Sequence, residues 1–505
     1  VMLSSGLIAE IEEDQWVPGA IQLLVDGTPQ SHVNLRDPSD VFFEYIRRMA
    51  HAIRARFDAA ITNADNARHW ANADGLSADA AASPDVRQTL RNRSRYEAAN
   101  NSYARGIVLT LANDMVGTGP RLQLLSDDTE ANDRIETAFE DWAREINLPA
   151  KLRIMRMAKA VDGEAFALLT ANPLLRSPIK LDLQLIEADR VANPDARLMT
   201  DAAVDGIEFD RYGNPIRYLV LRRHPGQSGF ALAMDGIDRV PAEAVIHWFR
   251  SDRPGQHRGI PEIMPALPLF AQLRRYTLAV LGAAETAADF AAVLFTDAPA
   301  NGEAAAVEPM DIVELEKRMA TVLPDGWKLG QIKAEQPGTT YSEFKRELLN
   351  EIARCLNMPF NVAAGNSSGY NYASGRLDYQ AYDKHLAIER LRIETIALSS
   401  IMDHWLREFW PQSIYRKTDV PMTWFWDGRA HVDPVKEANA EAQRLATGTT
   451  TLAIECARQG LDWEVVQDQR LAEELREMQR RKELGLPDAK NQPAKPESPP
   501  EPEDE

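Results

Sequence analysis

The period of the apolar residues changes twice along this chain, and that change limits the folds available to it. Between Glu164 and Arg250 apolar and polar residues alternate, as at Leu181, Leu183 and Leu185, which is the period of a half-buried strand. On both sides of this stretch the apolar residues recur at helical spacing. One sheet-forming region inside a helical chain predicts an α+β fold that is mainly helical. The length of 505 residues allows roughly two to four domains.

Start and stop signals place the individual elements. Ser83-Pro84 predicts the start of one long helix that ends at Gly117, and a second helix is expected from about Thr129. A β-hairpin is predicted at 207–220, with turn residues at its tip, and a strand at 245–249. Further helices are predicted at 265–295, 342–356, 374–409, 434–448 and 463–485, with a short one near 312–322.

Charge and cysteine content exclude some classes of protein. The chain has 57 Lys+Arg and 76 Asp+Glu, a net charge of −19, which argues against a protein that coats nucleic acid. Two cysteines, Cys355 and Cys456, are too few for a disulfide framework. The N-terminus lacks the pattern of a signal peptide. Glu285 and Asp289 interrupt the most apolar stretch, so no membrane span is expected.

The common motifs of catalysis and metal binding are absent from the sequence. There is no P-loop, no H-E-x-x-H and no Cys/His ligand spacing, so we predict no metal and no cofactor. His247 and His257 are interpreted as satisfied or exposed histidines, and Asp162-Gly163-Glu164 as a turn with cap residues. Four arginines on the first helix are expected to be solvated or to pair with carboxylates, with phosphate contact as the second interpretation. They are Arg87, Arg91, Arg93 and Arg95.

One pentapeptide, Gly365-Asn366-Ser367-Ser368-Gly369, fits the G-x-S-x-G nucleophile elbow of α/β-hydrolases. That elbow needs a strand before it, a helix after it, and an acid and a histidine downstream. Here a predicted helix precedes the motif, and the candidate histidines His385 and His404 fall inside the next predicted helix. A serine hydrolase that uses Ser367 is therefore kept only as an alternative, and no catalytic residue is predicted.

Several short segments, in their order and spacing, resemble the lambda-type family of tailed-bacteriophage portal proteins. The clearest is the run from Arg253 to Pro261, which leads into an Ala-rich helix. The others are Leu90 to Arg95 with Asn100, Val116 to Gly119, Asp162 to Phe166, Arg239 to Ala242 with Ile246-His247, Asn371 to Arg376, and Val432 to Ala438. The resemblance covers roughly residues 65–480. Ala373 departs from it, because the family more often has a serine at that position.

The resemblance implies a ring of about twelve subunits at one capsid vertex, through which DNA is packaged, retained and ejected. It implies no enzyme activity. The expected partners are double-stranded DNA, the terminase large subunit, a head–tail adaptor, and the major capsid and scaffold proteins. The expected location is the virion, after assembly in the host cytoplasm. A scaffolding protein that never meets DNA is a further alternative.

The resemblance also assigns regions of the chain, all of them expectations at this stage. They are an unassigned arm at 1–64, a wing at 65–264, a stem helix at 265–295, a clip at 296–341, a second stem helix at 342–358, a tunnel loop at 359–373, a long helix and wing return at 374–429, a crown at 430–486, and a disordered acidic Pro-rich tail at 487–505.

Two groups of side chains are then expected at the channel. The tunnel-loop residues are Asn366, Ser367, Ser368, Tyr370, Asn371 and Tyr372. The two tyrosines either pack between neighbouring loops or touch DNA. The stem residues are Arg274, Arg275, Lys345, Arg346 and Arg354, which either face the channel as sparse positive rungs or form ion pairs between subunits.

The net charge is compatible with a channel. On a ring of about twelve copies it amounts to roughly −230, which repels DNA from any wall that is not neutralised. A wall dense in Lys and Arg would instead hold the phosphates and slow the DNA. The acid excess therefore argues against a DNA-coating protein and leaves room for one that lets DNA pass.

Overall fold

The computed structural model describes only part of the chain. The described residues are 20–21, 24–25, 28–29, 33–34, 64, 67–193, 203–227, 236–288, 292–296, 327–331, 340–410, 421–428 and 434–485. They fall into two compact units, 1–76 and 77–505. The predicted helix near 312–322 and the predicted disordered tail at 487–505 lie outside the described residues.

The first unit contributes four two-residue strands within the predicted N-terminal arm. They are β1 (Ala20–Ile21), β2 (Leu24–Val25), β3 (Thr28–Pro29) and β4 (Val33–Asn34). β1 pairs with β4 and β2 with β3, both antiparallel.

The second unit is α+β and mainly helical, as the change of period predicts. Its first helices are α1 (Ala78–Ala81), α2 (Pro84–Asn100), α3 (Ser102–Val116), α4 (Thr129–Glu145) and α5 (Leu148–Asp162). Its later helices are α6 (Leu267–Ala288), α7 (Thr340–Arg354), α8 (Phe360–Ala364), α9 (Tyr372–Ile393), α10 (Ser399–Phe409), α11 (Pro434–Ala446), α12 (Leu452–Arg458) and α13 (Trp463–Glu483). A π-helical turn, Glu394–Leu398, joins α9 to α10, so the predicted long helix continues through both.

The sheets are small and antiparallel. The strands of the second unit are β5 (Arg121–Leu124), β6 (Glu164–Ala171), β7 (Leu181–Ile186), β8 (Ala203–Val204), β9 (Ile207–Phe209), β10 (Pro215–Leu221), β11 (Ile237–Pro241), β12 (Val245–Phe249), β13 (Ala292–Thr296), β14 (Trp327–Gln331) and β15 (Met422–Phe425). β6 lies between β12 and β7, while β11, β10, β9 and β8 form a four-stranded sheet. The predicted hairpin and the predicted strands at 181–185 and 245–249 are confirmed.

The predicted single helix from Pro84 to Gly117 is wrong, because it is two helices. The break falls at Asn101, whose Oδ1 accepts hydrogen bonds from Tyr103 N at 3.1 Å and Ala104 N at 3.4 Å and so caps α3. Its Nδ2 donates to the carbonyl of Phe270 on α6 at 3.3 Å. A tertiary contact that the helical period does not encode therefore favours the break.

The predicted helix at 265–295 is wrong at its end. α6 ends at Ala288, and Ala292–Thr296 is a strand that pairs antiparallel with Trp327–Gln331. A short apolar run fits a buried helix and a strand equally well, and here its hydrogen-bond partner lies more than thirty residues away. Among the described helices, four were not predicted, namely α1, α5, α8 and α12.

The core of the second unit is built around large aromatic side chains. Trp142 on α4 and Trp405 on α10 are fully buried, with ring centroids 6.5 Å apart. Phe139 contacts both rings, and Trp142 Nε1 donates to the carbonyl of Leu181 on β7 at 2.8 Å. One core therefore links α4, α10 and the central sheet.

Candidate functional site

The loop singled out by the sequence is shorter than predicted. Residues 360–364 form α8 and Tyr372 already belongs to α9, so the irregular segment is Gly365 to Asn371. Gly365 ends α8 with φ +61°, a left-handed conformation that favours glycine. Asn366 to Gly369 are exposed.

Local hydrogen bonds give the loop its form. The Asn366 amide donates to the Asn361 carbonyl at 3.0 Å, and Asn366 Oδ1 accepts from the Ser368 amide at 2.9 Å. The Tyr370 amide donates to the Ser367 carbonyl at 3.2 Å. The loop is therefore a set of tight turns that presents short polar side chains to its surroundings.

A capping box fixes the far end of the loop. Asn371 Oδ1 accepts from the Ser374 amide at 2.9 Å, and Ser374 Oγ accepts from the Asn371 amide at 3.2 Å. Ser374 thus completes the capping box of α9, whose N-cap is Asn371, and has a role different from Ser367 and Ser368. Tyr372 is the first residue of α9, and its side chain lies outside the described residues.

Tyr370 is held against its own chain. Its side chain is half-buried, and burial, with the Asp378 carboxylate, raises the pKa of its hydroxyl. The Arg346 charge on α7 acts on it in the opposite direction, and the Arg346 guanidinium lies 5.4 Å from the Phe360 ring centroid. The Arg346 guanidinium therefore lies near enough to the loop for its charge to act on the Tyr370 hydroxyl.

The other stem cations contact different parts of the chain. Lys345 Nζ lies 5.1 Å from the Tyr103 ring centroid and 5.7 Å from that of Tyr341. Burial alone would lower the pKa of Lys345, but hydrogen bonding and charge interaction with the two tyrosines raise it overall. The remaining three contact other parts of the chain or solvent: Arg274 donates to Tyr96 Oη at 3.4 Å, Arg354 donates to Asn357 Oδ1 at 3.2 Å, and Arg275 is exposed.

The surroundings of Ser367 do not form a nucleophile elbow. A helix, α8, precedes the motif where the elbow needs a strand, and α9 follows the loop. His385 lies on α9, and His404 lies on α10, where its Nδ1 is 2.9 Å from the Ser400 carbonyl oxygen.

A buried carboxylate was missed by the sequence interpretation. Glu164 is not a cap residue, because it is fully buried, and Arg258 holds it from Nη2 to Oε1 at 2.6 Å and from Nε to Oε2 at 2.9 Å. Arg91 Nη1 and His247 Nε2 also approach it, at 3.3 Å and 3.1 Å. Burial opposes ionisation of Glu164, but the charge of Arg258, with His247, holds its pKa well below the usual range.

The predicted carboxylate pairing of the first arginines is confirmed for three of the four. Arg87 pairs with Asp205, Arg91 with Glu164, and Arg95 with Asp162 at 2.7 Å. Arg93 is exposed. The two histidines are satisfied as expected, His247 by Glu164 and His257 by Asp79, whose Oδ2 is 2.7 Å from Nδ1.

Two glycines allow the two backbone segments of this network to pack closely against each other. Gly163 has φ +92°, and a Cβ there would lie 2.4 Å from the Ile260 carbonyl carbon. A Cβ on Gly259 would lie 2.1 Å from the Gly163 carbonyl oxygen. The backbone of the segment Asp162 to Phe166 therefore packs directly against the backbone of the segment Arg253 to Pro261.

A second buried ion network connects α5 and the segment before α6 with α9, the helix that follows the loop. Glu262 accepts from Arg156 at 2.7 Å and lies 3.1 Å from Lys159 Nζ, and Lys159 also pairs with Glu389 on α9. Lys159 is fully buried, 5.0 Å from the Trp248 ring centroid. These charges are spread over a hundred residues and more, so sequence spacing gave no signal for them.

One group of side chains has the ligand types of a metal site. Glu187, Asp189 and His224 lie close together within the part of the chain that the structure describes. The Arg95 guanidinium already pairs with both carboxylates, with Nη2 2.6 Å from Asp189 Oδ2 and 3.6 Å from Glu187 Oε2. Among the helices of the described ranges, none is long and apolar enough to cross a bilayer.

Comparison with known proteins places this chain in a family. The sequence model of phage portal proteins of the lambda family matches residues 64–390. A probable portal protein of Halomonas phage phiHAP-1 is 26% identical over 442 residues, which are 79% of this chain and 82% of that protein. Portal protein B of Escherichia phage lambda is 21% identical over 486 residues, 83% of this chain and 88% of its own length. A chain from the neck of an empty gene transfer agent particle is 14% identical with a TM-score of 0.46, over 74% of this chain and 93% of that one.

The family match covers α1 to α8 and most of α9, and it includes both glycines of the backbone contact, both buried ion networks and the capped loop. The chain therefore belongs to the lambda family of phage portal proteins.

Proposed function

We propose that this portal protein assembles into a ring of about twelve copies at one capsid vertex, and that double-stranded DNA passes through the ring during packaging and ejection. Family membership supports this proposal. A ring of identical subunits needs two different complementary surfaces on each chain.

The proposed regions follow the elements of the fold. The wing comprises residues 65–264, and α6 and α7 are the paired stem helices, with Tyr276 and Tyr341 stacked at 5.5 Å between them. The clip is the segment 296–341, of which β14 and the start of α7 are described. The tunnel loop is Gly365 to Asn371, α9 and α10 support it, and α11 to α13 form the crown.

The exposed loop is the observation that carries this function. Asn366, Ser367 and Ser368 offer weak hydrogen bonds without charge, which suits a wall past which phosphates must slide. The cap at Asn371 and the half-buried Tyr370 hold the loop at its base. Such a loop touches DNA without reading its sequence or gripping its backbone.

The proposed partners bind at other places on the chain. The terminase large subunit and later the head–tail adaptor dock on the clip, and the major capsid and scaffold proteins meet the outer wing. The protein is placed in the virion after assembly in the host cytoplasm. Catalysis has no part in this role.

Deleting residues 366–370 while keeping Gly365 and Asn371 tests the proposal. Negative-stain images should still show rings with a central hole, while DNA packaged in a complemented phage should be lost or poorly retained. A scaffold would lose assembly or change nothing. In Ser367→Ala rings should still form, and loss of an ester hydrolase activity in that variant would instead support the hydrolase.

A further inference from the structure

The stem helix α7 carries an acidic patch that its own described chain leaves unpaired. Glu343, Glu347 and Glu351 are exposed and spaced four residues apart, so they share one stripe of the helix. Phe344 beside them is 52% exposed. Within the described residues, none of the three glutamates forms an ion pair. We call these four residues the acidic stem patch.

A groove runs along the acidic stem patch. Phe344, Glu347 and Glu351 line it together with Leu348, and Arg354 lies at its end, where it donates to Asn357. Tyr276 contacts one edge of the Phe344 ring, with centroids 4.9 Å apart, and leaves the rest of the ring open. The patch therefore combines apolar surface with negative charge, the composition of a surface that another molecule covers.

A second patch, of opposite charge, surrounds α2 and α6. Tyr96 and Leu278 are 56% and 58% exposed, and the Arg274 guanidinium lies 5.9 Å from the Tyr96 ring centroid. Arg93 on α2 and Arg275 on α6 are exposed, and no ion pair in the described part of the chain involves either of them. We call these five residues the basic stem patch.

The two patches lie on different sides of the stem. On α6, Tyr276 faces α7 and Arg274 faces α2, while Arg275 lies between these two contacts on the outer surface. A chain with two distinct complementary surfaces forms head-to-tail contacts, which close into a ring when the rotation allows it.

We infer that the acidic stem patch of one subunit packs against the basic stem patch of the next, so that the stem glutamates and arginines form ion pairs between subunits. This inference rests on the proposed ring. Phe344 would then be covered by Tyr96 and Leu278 of the neighbour, and Arg275 would face a glutamate rather than DNA. Each patch is covered by a second copy of this chain, because the other patch on that copy has the opposite charge and also exposes apolar side chains.

Charge reversal tests the pairing. One variant carries E347R and E351R, which makes both patches basic, and a second carries R93E and R275E, which makes both acidic. Both exchanges keep good helix formers, so each subunit should stay folded by circular dichroism. Like charges across the contact should lower the ring fraction, measured by light scattering and negative stain, by about tenfold or more at equal concentration.

A mixture of the two charge-reversed variants tests the pairing more directly than either variant alone. In an alternating ring of the two, every contact again joins opposite charges, so the mixture should assemble although each variant alone does not. One chain with all four substitutions should also form rings. The control E130R/E140R changes the same amount of charge on α4 and should assemble like the wild type.

Several outcomes would overturn the inference. Rings from either variant alone, at the wild-type yield, would show that the patches do not meet. So would a mixture and a four-site chain that both stay monomeric while the control assembles. Normal rings with altered DNA packaging would place the patches on the channel wall. A wild-type protein that forms no ring would refute the proposed function itself, which distinguishes the two failures.

Discussion

Arg258 and Glu164 form a fully buried, doubly hydrogen-bonded ion pair that joins two segments 94 residues apart. Arg258 also donates to the carbonyls of Val191, at 3.0 Å, and Asp205. One guanidinium therefore satisfies a carboxylate and the backbone of two further segments. The pair connects β6 with the segment that leads into α6.

Removing one partner of this pair should destabilise the protein strongly. Arg258→Met leaves Glu164 charged and buried without its main partner, and we expect a loss of about 3–5 kcal/mol in the free energy of unfolding. Chemical denaturation measures it. The double variant Glu164→Met/Arg258→Met should lose less than the sum of the single losses, because no charge is then left unpaired. Additive losses would contradict the coupling, and exposed Arg211→Met serves as control.

The pair should also make the protein sensitive to acid. The pKa of Glu164 is lowered in the folded state, so its stabilisation is present above the ordinary pKa of a glutamate and is lost as the pH falls towards the folded value. The free energy of unfolding of the wild type should therefore fall between pH 5 and pH 3 more steeply than that of Glu164→Gln. Equal slopes in the two proteins would rule out Glu164 as a source of the acid sensitivity.

The backbone contact between Gly163 and Gly259 should tolerate no side chain. In Gly259→Ala the new Cβ meets the Gly163 carbonyl oxygen at 2.1 Å, and a backbone atom cannot swing away as a flexible side chain can. We expect a loss of at least about 3 kcal/mol, or an insoluble product. Gly106→Ala on α3 is the matched control: its Cβ has open space and should raise stability by up to about 1 kcal/mol. Equal behaviour of the two variants in thermal melts would contradict the contact.

Glu136 on α4 should give the free energy of unfolding a pH dependence opposite to that from Glu164. Burial raises the pKa of Glu136 to about 7, and Asp462, Asp133 and Glu464 add to the effect. The folded state then holds a proton that the unfolded state has released, so the free energy of unfolding should fall as the pH rises from about 4.5 to 7.

Glu136→Gln should remove this penalty. At pH 8 we expect the variant to be more stable than the wild type by about 1–2 kcal/mol, less than the full pKa shift implies because the side chain is partly exposed. The difference should vanish near pH 4.5. Exposed Glu130→Gln on the same helix is the control. A variant without a stability advantage at pH 8 would show that Glu136 is charged at no cost.

The cap of α9 should stabilise the end of the loop that precedes this helix. Asn371→Ala removes the acceptor for the Ser374 amide, so we expect a loss of about 1 kcal/mol and faster hydrogen exchange at that amide. Asn371→Asp keeps an acceptor oxygen and should preserve most of the protection. Unchanged exchange in the alanine variant would show that the loop does not depend on the cap.

The sequence by itself determined the elements whose signals are local. The alternation at 181–185, the hairpin at 207–220 and the helix from Thr129 were predictable, because a strand or helix period repeats within a few residues. The exposed Gly/Ser/Asn loop was predictable from its local composition, although α8 and the start of α9 make it shorter than predicted.

The tertiary structure alone decided the pairings. Asp162-Gly163-Glu164 has the composition of a turn, and only its contact with Arg258 and Gly259 shows a buried carboxylate and an interlocked backbone. In the same way Asn101 ends a helix because it reaches Phe270, and Ala292–Thr296 is a strand because Trp327–Gln331 lies beside it. A local pattern fixes the conformation of a segment, but the partner of a buried charge or a strand edge depends on which distant segment the fold brings within hydrogen-bonding distance.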